Sequence, residues 1–213
     1  LILLGRIDLQ QSDFTKAKQS FEKLSGSGRN FYRGLMASFF GDHKNTTSLL
    51  EEAKKNPEYR DRARVILGAY EEFSLFPDGN PLHRDLLLAK AYHDLGFYEM
   101  AIRSSKNILK KEEKYRDAWI LLGHSYLSLE QYQLAKNILE EALEMSPARA
   151  QTAYFLGLTE AALKDYENAI THLIAAKKNG FTPQAEAMRS LAEVYIAAEY
   201  YEAAKDEYDS LLG

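Results

Sequence analysis

Hydrophobic residues recur along this chain in steps of three and four, with polar residues between them. This period places the apolar side chains on one face of an α-helix. Turn-forming clusters separate the periodic segments, and none of the segments reads clearly as a β-strand. The pattern predicts thirteen helices, over residues 1–10, 13–24, 30–40, 44–55, 58–76, 82–95, 98–111, 116–128, 131–144, 150–163, 166–178, 184–197 and 200–212.

A longer period is superimposed on the C-terminal part of the chain. A small residue follows a leucine at four places, separated by 34 or 35 residues, and tyrosine and alanine positions recur in register around it. Periods of this length are typical of repeat architectures. A weaker copy surrounds Gly5, and the four clear copies carry Leu88-Ala89, Leu122-Gly123, Leu156-Gly157 and Leu191-Ala192.

The residue types in one copy have a physical explanation as two antiparallel helices in contact. Gly123 lets the second helix of the pair approach closely, and Ala135 removes bulk from the opposite side of that contact. Tyr126 and Tyr132 fill the remaining space with their hydroxyls toward the rim. Pro147 cannot continue the helix, so the chain turns into the next pair. These residues are therefore predicted to be structural.

The pattern resembles the tetratricopeptide repeat (TPR), whose signature runs W-x2-L-G-x2-Y, then alanine, then proline. The resemblance implies an all-α fold, a right-handed superhelical solenoid of antiparallel helix pairs. This chain departs from the signature at Glu160, where neighbouring copies have tyrosine, and at Pro183, which comes two places late. The matching residues are Trp119, Leu122, Gly123, Tyr126, Ala135, Ala142 and Pro147.

The helix count predicts three regions. Residues 82–213 form four TPR-like repeats, and residues 1–56 form degenerate TPR-like helix pairs. Five helices precede residue 82, so residues 57–81 are interpreted as an irregular helix and turn that break the repeat register. Either the helix over 58–76 lacks a partner, or it bends and splits near Gly68. Both ends resemble cut solenoid ends, since solenoids need polar caps, so we expect a piece of a longer protein.

Charge and composition narrow the function classes. The formal net charge is −4, but residues 1–115 carry +3 (19 − 16) and residues 116–213 carry −7 (8 − 15). The acidic balance of the better-patterned half disfavours nucleic acid as a partner. The chain has no cysteine, which excludes disulfides and thiolate chemistry. No apolar run approaches the roughly 20 residues that span a bilayer, so we expect no membrane insertion, and the sequence does not indicate a compartment.

Sequence motifs of catalysis are missing, so we do not expect an enzyme, a cofactor or a metal site. His93 and His124 are predicted to face the same inner surface, but a metal site would need a third ligand. The basic run at 106–116 has two interpretations: a solvated outer face, or a patch for an acidic partner.

The TPR resemblance implies a binding surface on the first helix of each pair, which lines the concave side in that family. The lysine and asparagine clamp of family members that bind a C-terminal carboxylate is absent, and some of the apolar residues on this surface are expected to pack against adjacent helices. The candidate partner-binding residues are Lys90, His93, Ile120, Leu121, His124, Leu127, Tyr154, Phe155, Leu158, Arg189 and Glu193.

These observations predict a protein-interaction scaffold that binds a peptide or helical segment in its concave groove. The partner segment is expected to be apolar or amphipathic with basic flanks. Alternatives are self-association through the solenoid ends and an accessory or regulatory domain of a larger enzyme, with nucleic-acid binding third.

Overall fold

The predicted helices are present in a computed structural model, which describes residues 1–26, 28–76 and 79–212. All regular structure within these ranges is helical. Residues Pro77 and Asp78 of the predicted turn lie outside the described residues. The thirteen helices described are α1 Ile2–Gln10, α2 Phe14–Glu22, α3 Arg29–Phe39, α4 His43–Lys54, α5 Arg60–Ser74, α6 Pro81–Asp94, α7 Tyr98–Lys111, α8 Arg116–Ser128, α9 Tyr132–Met145, α10 Ala150–Ala162, α11 Tyr166–Lys178, α12 Gln184–Ala197 and α13 Tyr201–Leu212.

The chain divides into two compact units. The first spans Leu1–Glu113 and contains α1 to α7, and the second spans Lys114–Gly213 and contains α8 to α13. In the second unit, consecutive helices pair as α8 with α9, α10 with α11 and α12 with α13. The three-region division at residues 56 and 81 stays a prediction.

Glycine allows close contact inside the pairs, as predicted for Gly123. A Cβ atom on Gly123 would lie 2.5 Å from Leu139 Cγ, and one on Gly157 would lie 2.8 Å from Leu173 Cγ. Each glycine faces the residue sixteen positions further on, and the same spacing joins Gly5 to Phe21 and Gly34 to Leu50 in the first unit. The first unit therefore uses the same helix contact, although its sequence signature is weaker.

The turns inside the helix pairs share one backbone conformation. In the α8–α9 turn, Glu130 has φ 58° and the Gln131 N–H donates to the Tyr126 carbonyl at 2.9 Å. This left-handed residue and backward hydrogen bond form a helix C-cap. Within the described ranges, the positive-φ residues of the pair turns are Ser12, Gly41, Gly96, Glu130, Lys164 and Glu199.

The first unit departs from simple stacking of consecutive pairs. Helix α3 meets α6 directly, where the Tyr92 hydroxyl donates to Ser38 Oγ at 2.9 Å in the buried core. Helix α1 also contacts α7. Helix α5 is continuous through Gly68 and packs against both α4 and α6, with its Arg62 guanidinium 4.9 Å from the Phe31 ring. Of the two interpretations of 58–76, the structure does not show the split helix.

We expect the backbone amides of α5 to exchange with solvent faster than those of α8 and α9. The packing of α5 is one-sided: Ala63 and Ile66 are fully buried, but Val65 is 37% exposed and a Cβ atom on Gly68 would meet no atom within 4 Å. Sparse packing lowers the free energy of local opening. Native-state hydrogen exchange measures it, and equal protection of α5 and α8 would contradict the irregular-helix interpretation.

The helices are short or polar relative to a bilayer core. Within the described residues, we find no helix with the length and apolar character required to cross a membrane.

Candidate functional site

The predicted binding surface of the second unit lies on the first helices of its pairs. Helix α10 contacts both α8 and α12, so these three helices are neighbours as well as partners of α9, α11 and α13. Side chains from α8, α10 and α12 can therefore combine into one surface.

Three of the predicted partner-binding residues are buried within this unit. Ile120 is 9% exposed, Leu121 is 7% exposed and Tyr154 is 3% exposed. A side chain with so little accessible area cannot offer a partner a large contact. In the structure these three residues contribute to packing inside the fold, and partner binding through them stays a prediction.

Tyr154 shows why an inner-helix aromatic residue becomes buried. Its hydroxyl donates to Glu186 Oε1 at 3.0 Å and lies 3.0 Å from Ser190 Oγ, both on α12. Its ring stacks on Phe181 with the ring centres 4.0 Å apart. Burial, with a further contribution from Glu186, raises the pKa of Tyr154 to about 12. Tyr154 therefore joins α10 to α12.

The half-buried residues on this surface form an apolar strip with an aromatic centre. The Phe155 ring of α10 stacks on His124 of α8, with ring centres 3.9 Å apart and an angle of 19° between the planes. Leu127 on α8 and Leu158 on α10 are also half-buried. The half-buried side chains therefore have solvent-accessible area that a partner could contact, whereas the three buried side chains have almost none.

Helix α12 contributes charged residues to the predicted surface. Arg189 and Glu193 are both exposed on this helix. We name the set His124, Leu127, Phe155, Leu158, Arg189 and Glu193 the inner-helix surface.

The two remaining candidates, Lys90 and His93, belong to the first unit. Lys90 is exposed, whereas the His93 side chain is 11% exposed, with its Nδ1 3.6 Å from Asp94 Oδ1 and its ring 5.1 Å from that of Tyr98. Across residues 1–26, 28–76 and 79–212, no three His, Cys, Asp or Glu side chains are grouped so that they could hold a metal ion.

An ionic cluster around the buried Glu160 was indicated only in part by the sequence. Glu160 of α10 is 2% exposed, and its Oε2 lies 2.6 Å from His172 Nδ1 on α11. Lys136 Nζ of α9 lies 3.8 Å from Glu160 Oε1 and 3.2 Å from Asp165 Oδ2. The substitution of the repeat's tyrosine by Glu160 was the available signal. The cluster joins three helices, so its role is structural.

Comparisons with known proteins agree with the repeat pattern. Residues 120–180 match the family model described as tetratricopeptide repeat. The TPR repeat-containing protein YpiA of Bacillus subtilis (strain 168) is 23% identical over 97% of this chain. The aligned part is 53% of YpiA, so this chain spans about half the length of that relative.

Solved structures share the architecture. MamA from Desulfovibrio magneticus RS-1 is 18% identical, with a TM-score of 0.57 over 87% of this chain and 93% of that chain. A thermophilic TPR protein of Thermus thermophilus is 19% identical, with a TM-score of 0.57 over 88% of this chain and 90% of that one. At these identities the likeness shows the fold alone. It confirms the prediction of an all-α helical repeat of the solenoid class. The repeat signature, the family-model match over residues 120–180 and the curated relative support an assignment of this chain to the tetratricopeptide repeat family.

Proposed function

We propose that this chain is a protein-interaction scaffold whose inner-helix surface binds a peptide or helical segment of a partner protein. The observation that carries the proposal is the half-buried strip of Phe155, Leu158 and Leu127 beside exposed charges of α12. Apolar area rimmed by polar groups is typical of interaction sites. The arrangement suits an extended or helical segment whose apolar side chains lie in a groove.

The charge of residues 116–213, which make up most of the second unit, supports a partner with basic flanks. Residues 116–213 carry a formal charge of −7 (8 − 15). Complementary charge speeds the encounter of two proteins more than it tightens their complex. The apolar strip would therefore supply most of the affinity, and the acidic surroundings would favour basic segments over acidic ones.

A matched pair of double substitutions tests the surface. Leu127→Ser with Leu158→Ser is expected to remove partner binding, because both changes replace apolar contact area on the inner-helix surface. Leu134→Ser with Ile174→Ser is the control, since these two residues are 48% and 44% exposed on the second helices α9 and α11. Partner binding is measured by photo-crosslinking from a reactive residue at position 193, in extract of the native cells.

The expected result is one crosslinked partner that disappears in the first double variant and persists in the control. Thermal unfolding of both variants establishes that each remains folded. Equal crosslinking by the two folded variants would contradict the assignment of the surface.

A further inference from the structure

The first unit contains a groove that the repeat pattern does not account for. Two recesses, of about 490 and 810 Å³, share Phe39, Phe40, Ser104 and Asn107 among the residues that line them. The turn between α3 and α4 forms one side, and α7 forms the other. We name these joined recesses the α7 groove.

The floor of the α7 groove is aromatic. Phe14 and Phe39 contact each other, with ring centres 4.6 Å apart, and both line the groove. Phe40 is 47% exposed and adjoins them, with its ring 5.5 Å from that of Phe39. An exposed phenylalanine in a recess offers a partner's apolar side chain a contact that water does not satisfy.

The wall of the groove formed by α7 is basic. Arg103, Lys106 and Lys110 are exposed and line the groove. Their spacing of three and four residues places them on one face of the helix. Asn107 and Ser104 stand on the same wall and add neutral hydrogen-bonding groups. This face includes part of the basic run at 106–116, so the structure shows that part of that run lines a recess.

The acidic residues in the groove already have basic neighbours or a reduced tendency to ionise. Asp13 pairs with Lys16 at 2.8 Å, and Asp85 lies 3.4 Å from Lys111 Nζ. Burial raises the pKa of the Glu99 carboxyl group. Within the described part of the chain, no ion pair reaches Arg103 or Lys110. Arg103 and Lys110 can therefore each pair with a carboxylate of a partner.

Arg84 provides a further donor at the other side of the groove. Its side chain is 25% exposed, and one of its guanidinium nitrogens lies 3.6 Å from Asp85 Oδ1. Its buried Nε has no hydrogen-bond partner among the described residues. A buried unpaired donor costs free energy until an acceptor arrives.

We propose that the α7 groove binds an acidic segment of a partner protein, with carboxylates on the α7 wall and an apolar or aromatic side chain on Phe40. The site lies in the first unit and is separate from the inner-helix surface, so the two proposals can fail independently.

The lining of the groove favours a carboxylate-bearing peptide over nucleic acid. Asp13, Asp85 and Glu99 stand among its cations. A nucleic-acid site normally presents a dense basic face, because its affinity comes mainly from phosphate contacts. The aromatic floor, by contrast, suits a peptide in which single apolar side chains lie between acidic residues. Charge complementarity thus selects an acidic, partly apolar polypeptide.

The probe for this site is a fluorescein-labelled peptide in which glutamates flank one phenylalanine and one leucine. Its binding to the intact chain is followed by fluorescence anisotropy. Arg103→Glu with Lys110→Glu is expected to weaken binding by about tenfold or more, since each reversal replaces an attraction by a repulsion. Phe40→Ala is expected to weaken binding while the salt dependence persists, because the charged contacts remain.

Lys23→Glu with Lys205→Glu is the matched control, since both lysines are exposed and outside the groove and the net charge changes equally. This control should bind the peptide as the unaltered chain does, and circular dichroism checks that all variants are folded. Equal weakening by the two charge-reversal pairs would overturn the site. So would binding of a glutamine-substituted peptide as tight as that of the acidic one, or tighter binding of a single-stranded oligonucleotide of equal charge.

Discussion

Replacing Gly123 with alanine is expected to lower the free energy of unfolding by about 1–3 kcal/mol. The added Cβ atom would lie 2.5 Å from Leu139 Cγ and 2.6 Å from its Cδ2. Leu139 is fully buried, so its side chain has no open space to move into. The higher helix propensity of alanine offsets only about 0.5–1 kcal/mol of this cost. Leucine at position 123 should destabilise the pair still more.

Gly68→Ala is the matched control, since Gly68 also lies inside a helix but an added Cβ atom would meet no atom within 4 Å. Here the change should stabilise the chain by about 0.5–1 kcal/mol, because only the helix propensity changes. Urea unfolding followed by circular dichroism measures both variants. A Gly123→Ala variant as stable as Gly68→Ala would show that the α8–α9 pair does not require glycine.

Helix positions could be predicted from this sequence because each helix buries one face. The three- and four-residue steps reflect that face, and the bounds agree with the structure to within two residues at most ends. The contact of Gly123 could also be predicted, since a small residue recurring at a fixed period points to a recurring close approach. Gly34 was not recognised from the repeat, yet it approaches Leu50 in the same way.

Burial on the inner helices could not be predicted from the repeat position alone. Tyr154 is covered by Phe181, which lies in the connection before α12, and by Glu186 and Ser190 on α12 itself. These neighbours are specific to this chain and do not follow from the period. Likewise, Glu130 and Lys164 adopt φ > 0 without being glycine, so local propensity gave no sign of that conformation.

The α7 groove could not be predicted from the sequence either, but for a different reason. Its aromatic floor includes Phe14, Phe39 and Phe40, whereas its basic wall begins at Arg103, so the two come from distant segments of the chain. The basic run had two interpretations, a solvated face or a patch, and sequence spacing cannot decide between them. The direct contact of α3 with α6 at Ser38 and Tyr92 brings the two segments together. The repeat pattern did not predict this contact.

The two proposed surfaces have opposite charge, which gives the scaffold a way to distinguish its ligands. Residues 1–115 carry +3 and present the basic α7 wall, whereas residues 116–213 carry −7 around the inner-helix surface. An acidic segment would be repelled from the second unit and a basic segment from the first. Like-charge repulsion of this kind contributes to specificity even where it adds little affinity.

Replacing His172 with leucine is expected to destabilise the second unit by about 2–3 kcal/mol. His172 Nδ1 is the nearest partner of Glu160, at 2.6 Å, and Glu160 is 2% exposed. Without His172, the remaining charged partner of the buried carboxylate among the described residues is the more distant Lys136 Nζ at 3.8 Å. The cost is therefore that of a buried charge left with incomplete hydrogen bonding, more than the loss of one contact.

The double variant Glu160→Leu with His172→Leu is expected to recover most of that stability. Apolar residues of similar volume often replace a buried ionic pair at little cost in stability. Lys136 would still form its ion pair with Asp165, at 3.2 Å. Glu167→Leu with Thr171→Leu is the control on the exposed side of α11 and should change stability by about 0.5 kcal/mol or less. Urea unfolding of the single and double variants gives a coupling energy of about 1–3 kcal/mol for a cooperating pair. If the two single changes simply add, Glu160 and His172 do not stabilise each other, and the tyrosine of the repeat was replaced here without a compensating partner.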